Sequence, residues 1–245
     1  MNRLLLCLLL VCSLGALISC SLVPDAVASG DPGFSKRLFI VLMDETGSFV
    51  SYWDEALRYA KLVPARMGEE DAFIMIGIDD RAGDPADVRV PMRTLPPNPI
   101  EAIAVRSEIV KEVQAQKVRN PEASRTDVLG AVATAAAVAG RHTEYRTVLV
   151  IFSDMDQLPR LPDVHDVAEL GIRLRPGTEA RVFFFQGADM ATRRRIPTAR
   201  AERILKDCWL RVLAASGVQI GERDFASVID TEAKFNELLP LAHGH

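Results

Sequence analysis

Residues 38–48 read LFIVLMDETGS, an apolar run that passes directly into a polar turn. Six consecutive apolar residues favour a β-strand that is buried on both faces. The turn after them places Asp44, Thr46 and Ser48 at alternate positions, and all three side chains carry oxygen atoms. Because ligands of open α/β sheets bind beyond the carboxyl ends of the strands, this turn is a candidate binding loop.

Strand and helix patterns alternate along the rest of the chain. Apolar runs at 72–78, 147–152 and 180–185 predict further buried strands. Shorter strands are predicted at 88–94, near an edge because of Pro91, and at 225–229. Helices are expected at 49–60, 99–117, 126–139, 164–170, 204–213 and 231–239, with Thr126 and Thr231 as N-caps. The alternation predicts a doubly wound, Rossmann-like α/β fold, whose mostly parallel sheet has helices on both faces.

The first 19 residues have the features of a signal peptide. Arg3 gives a positive start, residues 4–18 are almost wholly apolar, and this run is shorter than the roughly 20 residues of a membrane-spanning helix. The ending Leu-Ile-Ser-Cys resembles the lipobox of bacterial lipoproteins, in which Cys20 is lipidated and becomes the first residue. Two alternatives stay open, a cleaved signal that contains cysteine by chance and an uncleaved anchor.

Residues 20–36 are rich in Ser, Pro, Gly and Asp, which predicts a flexible tether before a domain at 37–245. Ser21 follows the lipobox, and by resemblance to lipoprotein sorting in two-membrane bacteria this favours the outer membrane, facing the periplasm. The N-terminal lipid is the expected contact with the membrane. The net charge of −4 makes nucleic acid a poor partner. Cys208 lies in an apolar helical stripe and is expected to be buried.

Oxygen-bearing side chains recur where other predicted elements begin or end. Thr126 opens the alanine-rich helix, and Asp154 follows the strand at 147–152. Together with the first loop they make a set of carboxylates and hydroxyls without Cys or His, which suits a hard cation and makes zinc or copper unexpected. The expected ion is Mg²⁺, with Mn²⁺ or Ca²⁺ as alternatives.

This set resembles the metal ion-dependent adhesion site of von Willebrand factor A (vWA) domains, whose motif is D-x-S-x-S followed by a distant Thr and a distant Asp. The resemblance spans about residues 36–241 and implies that the hydroxyls of Thr46 and Ser48 bind the metal directly. Thr126 would act directly or through water, and Asp44 and Asp154 largely through water. A protein partner's acidic side chain would complete the coordination, so the resemblance implies a binding module and not an enzyme. Where the family often has Gly, this chain has Met155.

Three other interpretations stay open. The DETGS segment also resembles the DKTGT loop of haloacid dehalogenase-like phosphotransferases, with Asp44 as nucleophile and Mg²⁺ nearby, although Thr46 stands where those phosphatases usually have an acid. The chain could also be a structural envelope protein with an inactive site, or the loop could only cap the next helix. Glu45, Asp127 and Asp156 are expected to be solvated or to support the ligands.

Overall fold

A computed structural model describes residues 36–80, 87–119, 121–123, 125–157, 160–186 and 199–241. The predicted signal peptide, Cys20 and all of the predicted tether except Lys36 lie outside the described residues. Those interpretations of the N-terminal part therefore stay predictions.

The described strands form one six-stranded sheet in the order β3-β2-β1-β4-β5-β6. They are β1 (Arg37–Asp44), β2 (Ala72–Ile78), β3 (Val88–Thr94), β4 (Arg146–Phe152), β5 (Glu179–Phe185) and β6 (Phe225–Ser227). Every neighbouring pair is parallel except β2 and β3, which are antiparallel. Pro91 lies in β3 at the sheet edge, where its missing N–H costs no ladder hydrogen bond. The prediction of a mostly parallel α/β sheet is confirmed.

Helices cover both faces of the sheet. They are α1 (Trp53–Ala60), α2 (Pro99–Gln114), α3 (Val128–Arg141), α4 (Val164–Glu169), α5 (Ala199–Ala215) and α6 (Thr231–Leu238), with 3₁₀ turns at Val50–Tyr52, Val63–Arg66 and Glu222–Asp224. Even-numbered residues of β1 from Leu38 to Leu42 join a core with α3, α4 and α5, and odd-numbered residues from Phe39 to Met43 join a core with α1, α2 and α6. None of the helices in the described ranges has the length and apolar character needed to cross a membrane.

Two predicted helix caps are wrong. Asp127, not Thr126, is the N-cap of α3, and its carboxylate accepts a hydrogen bond of 2.9 Å from the backbone amide three residues later. The hydroxyl of Thr126 instead donates to the Thr46 hydroxyl. Asp230, not Thr231, occupies the N-cap position of α6. In both cases the threonine hydroxyl has another hydrogen-bond partner, so it is not available to the helix.

Candidate metal centre

Three segments of the chain meet at the carboxyl edge of β1 and β4. Asp44 is the last residue of β1, and Thr46 and Ser48 lie in the turn that follows. Thr126 lies two residues before α3, and Asp154 lies two residues after β4. Because β1 and β4 are parallel neighbours, their carboxyl ends lie side by side, and the loops after them converge.

The hydroxyls of the three predicted hydroxyl ligands form one cluster. Thr126 Oγ1 donates to Thr46 Oγ1 at 3.1 Å, and Thr46 Oγ1 lies 3.2 Å from Ser48 Oγ. In an octahedral Mg²⁺ site with bonds of 2.0–2.1 Å, adjacent ligand oxygens are about 2.9 Å apart. The observed spacings are close to that value, so these oxygens fit adjacent positions around one small cation.

Asp44 is fully buried at the base of this cluster. Its Oδ1 accepts hydrogen bonds from the Thr46 amide at 3.0 Å and the Thr46 hydroxyl at 2.7 Å, and its Oδ2 accepts one from the Ser153 hydroxyl at 2.6 Å. Burial and then the nearby charge of Asp154 raise the pKa of Asp44 to about 7, while the hydrogen bonds from Ser153 and Thr46 oppose the rise. A divalent cation would favour the charged form of both carboxylates, so the donor set fits such an ion.

The loop that carries Asp154 has a left-handed backbone at the next residue. Met155 has φ 62°, a conformation that usually favours glycine. Its side chain is fully buried, its amide donates to Ser153 Oγ at 2.9 Å, and its carbonyl accepts from Trp209 Nε1 at 2.8 Å. These contacts hold methionine in a backbone conformation that glycine adopts more easily.

Ser153 was not among the predicted site residues. Its hydroxyl joins the ends of β1 and β4, because it donates to Asp44 and accepts from the Met155 amide. Its position directly after a buried strand is the only sequence signal, and the same signal is common to many loop serines.

Of the two expectations for Glu45, exposure to solvent is wrong, and support of the ligands stays a prediction. Glu45 is buried and forms an ion pair with Arg89 of β3, so it faces away from the hydroxyl cluster. Gly77 of β2 leaves room for it, since a Cβ at that position would collide with Glu45 Oε1. A glycine inside an apolar strand pattern often marks such a close approach, and this was the available signal.

The cluster is open to solvent on one side. Asp44, Thr46 and Thr126 are buried, whereas Ser48 is half-buried and Gly47 is exposed. A ligand from outside would therefore reach the hydroxyl cluster past Gly47 and Ser48.

No family model matches the sequence, and no curated protein does. Among solved structures, a von Willebrand factor type A structure from Catenulispora acidiphila is similar, with a TM-score of 0.51 and 11% identity over 84% of this chain and 42% of that one. The chain has the fold of a vWA domain. The vWA fold predicted from the first loop, Thr126 and Asp154 is thereby confirmed.

Two further structures are similar at lower scores. Proximal thread matrix protein 1 of the mussel byssus, with a zinc-occupied adhesion motif, has 13% identity over 83% of this chain and 47% of that one, with a TM-score of 0.46. An aerotolerance-related membrane protein from Bacteroides fragilis has 12% identity over 82% of this chain and 96% of that one, with a TM-score of 0.45. The vWA-like chain spans less than half the length of the mussel and Catenulispora structures. Similarity at identities this low shows the fold alone.

Proposed function

We propose that this protein binds a divalent cation at the hydroxyl cluster and, through the ion, a protein partner. Thr46, Ser48 and Thr126 would contribute hydroxyl oxygens, while Asp44 and Asp154 would act largely through water. The observation that carries the proposal is the cluster itself. Its Thr46 hydroxyl lies 3.1 Å from that of Thr126, in a distant segment, and 3.2 Å from that of Ser48, beside the buried carboxylate of Asp44. Mg²⁺ is the first choice because it prefers oxygen ligands and retains several waters, with Mn²⁺ or Ca²⁺ as alternatives.

The expected partner group is a carboxylate. Hydroxyl ligands are neutral, so an ion that they hold directly keeps much of its positive charge. An incoming Asp or Glu side chain can replace one of its waters from the side of Gly47 and Ser48, which is open to solvent. The protein as a whole is acidic, with a net charge of −4, so the ion itself supplies the attraction for a carboxylate.

The buried state of Asp44 supports binding over phosphoryl transfer. A nucleophilic aspartate has to present a carboxylate oxygen to the substrate. Both oxygens of Asp44 are buried and accept hydrogen bonds, and Thr46 stands at the position of the usual general acid. We therefore propose a non-enzymatic role. A structural protein with an inactive site differs from this proposal because it would bind no cation.

Binding to the partner is expected to depend on the divalent ion. Wild-type protein is immobilised and incubated with an envelope extract in Mg²⁺ or in EDTA, beside the Ser48→Ala variant in Mg²⁺. A true partner is retained by wild type in Mg²⁺ and lost under both other conditions, because each removes the ion or one of its ligands. Ser51→Ala is the matched control, since Ser51 is exposed three residues further on, and it should retain the partner. Retention of the same proteins under all conditions would show that the hydroxyl cluster is not the interface.

We propose that the protein is anchored in the bacterial envelope through lipid on Cys20, at the outer membrane and facing the periplasm. The proposal rests on the Leu-Ile-Ser-Cys ending and on Ser21. Labelled fatty acid should enter wild type and not the Cys20→Ala variant, while Cys12→Ala should be labelled like wild type. Equal labelling of wild type and Cys20→Ala would exclude lipidation at this residue.

A further inference from the structure

The first loop of the site has two sides. Asp44, Thr46 and Ser48 contribute to the hydroxyl cluster. Glu45 and Gly47 contact the connection between α2 and α3 instead, because Arg119 N donates to Glu45 Oε2 at 3.3 Å and Gly47 N donates to a carbonyl of the same connection at 3.2 Å. This connection, of which residues 115–119, 121–123 and 125–127 are described, also carries Thr126.

A buried ion pair fastens the connection to the sheet. The side chains of Glu45 and Arg89 are only 3% and 2% exposed, and Arg89 donates two hydrogen bonds to the Glu45 carboxylate. Arg89 Nη2 also donates to the carbonyl of Lys117 at 3.2 Å. The pair therefore holds both a carbonyl and an amide of the connection, and it links them to the first loop and to β3.

The same connection is held at its other end. The Gly47 amide bonds the carbonyl of Ala123, and the Asp127 amide donates to the carbonyl of Asp79 at 2.9 Å. A Cβ at Gly47 would lie 2.9 Å from the carbonyl oxygen of Pro121, so only glycine permits this approach. In the sequence Thr126 lies between Ala123 and Asp127, which these hydrogen bonds fix, and its hydroxyl donates to that of Thr46.

We propose that Glu45 and Arg89 are positioning residues that place Thr126 in the metal site. The inference rests on the proposed function. A buried ion pair contributes little net stability, because desolvation of the two charges offsets their attraction. The pair instead fixes the position of the connection, because Arg89 donates to the Lys117 carbonyl and Glu45 accepts from the Arg119 amide. Without it the connection would lose its attachments at Lys117 and Arg119, and the Thr126 hydroxyl would be held less firmly beside Thr46.

The test is the double variant Glu45→Met/Arg89→Met. It removes both charges together, so no lone charge stays buried, and its stability in EDTA should be close to that of wild type. Its Mn²⁺ dissociation constant, measured by electron paramagnetic resonance, should rise about 10- to 100-fold, as for other groups that orient metal ligands. In EDTA, the amides of Gly47 and Asp127 should exchange hydrogen faster than in wild type.

A second variant and a control complete the design. Arg89→Lys keeps the charge but lacks the fork that reaches both the carboxylate and a carbonyl, so its Mn²⁺ affinity should be intermediate. Arg93→Met is the control, because Arg93 is also in β3 but forms its ion pair with Glu112 at the surface. It should change neither the Mn²⁺ affinity nor the amide exchange. Wild-type Mn²⁺ affinity in Glu45→Met/Arg89→Met, or in Arg89→Lys if the double variant does not fold, would overturn the inference. Failure of wild type to bind Mn²⁺ would overturn the proposed function. The positioning role would then still be tested by amide exchange, and equal exchange of wild type and the double variant in EDTA would overturn it.

Discussion

Mg²⁺ is expected to raise the melting temperature of wild-type protein and to leave that of the Asp44→Asn variant unchanged. An ion that binds only the folded state at 100 times its dissociation constant adds about 2.7 kcal/mol to the free energy of unfolding. For a domain of this size, that is a rise of about 5–10 °C in melting temperature. Asparagine keeps the shape of the side chain but not its charge, so it cannot hold the ion or its waters in the same way.

The metal-free state provides the reference for this prediction. Because burial raises the pKa of Asp44 to about 7, its protonated form is accessible near neutral pH without an ion. Asp44→Asn removes the acceptor of one of the hydrogen bonds that Thr46 and Ser153 donate to this carboxylate, so each protein is compared with itself in Mg²⁺ and in EDTA, which separates loss of the ion from loss of stability. Asp54→Asn is the control, since Asp54 is exposed on α1, and it should show the full Mg²⁺ effect. Identical melting curves of wild type in Mg²⁺ and in EDTA would exclude a bound ion.

Trp209→Ala is expected to give the largest loss of stability, about 3–5 kcal/mol in the free energy of unfolding. Trp209 is fully buried on α5, and its loss would leave a cavity in the core shared with α3 and α4. It would also remove the hydrogen bond from Nε1 to the carbonyl of Met155, which helps to hold the left-handed turn after Asp154.

Urea unfolding of two further variants separates these effects. Trp209→Phe keeps most of the ring but leaves the Met155 carbonyl without this donor, so it should lose about 1–3 kcal/mol. Ile204→Ala changes a residue on the same helix that is 53% exposed, and it should lose about 0.5 kcal/mol or less. If Trp209→Ala were as stable as Ile204→Ala, the described packing of α5 would be wrong.

The sequence predicts the strands of this fold better than their mutual contacts. Buried strands such as β1 and β2 are clear because both of their faces are covered, which produces continuous apolar runs. The edge position of β3 follows from Pro91, but its antiparallel direction depends on the connection from β2, which has no comparable pattern. The helix caps were mistaken because Thr126 and Thr231 form tertiary hydrogen bonds that local propensity does not contain.

The sequence indicates only part of the candidate site. Alternating oxygen-bearing residues after a buried strand indicate Asp44, Thr46 and Ser48 without any structure. The pairing of Glu45 with Arg89 could not be inferred, because the two residues are 44 positions apart and each alone is typical of a solvated loop or edge strand. The positive φ of Met155 could not be inferred either. The contacts that stabilise it, burial of its side chain and the hydrogen bond from Trp209, exist only in the folded protein.

The contacts between Thr46 and Thr126 and between Asp44 and Ser153 join residues that are 80 and 109 positions apart in the chain. An ion held there would join segments that are far apart in the chain and, because it binds only the folded state, would stabilise that state through a reversible link. In the described residues the only free cysteine is buried Cys208. Such a link would depend on the surrounding concentration of divalent metal, whereas a disulfide depends on the redox state.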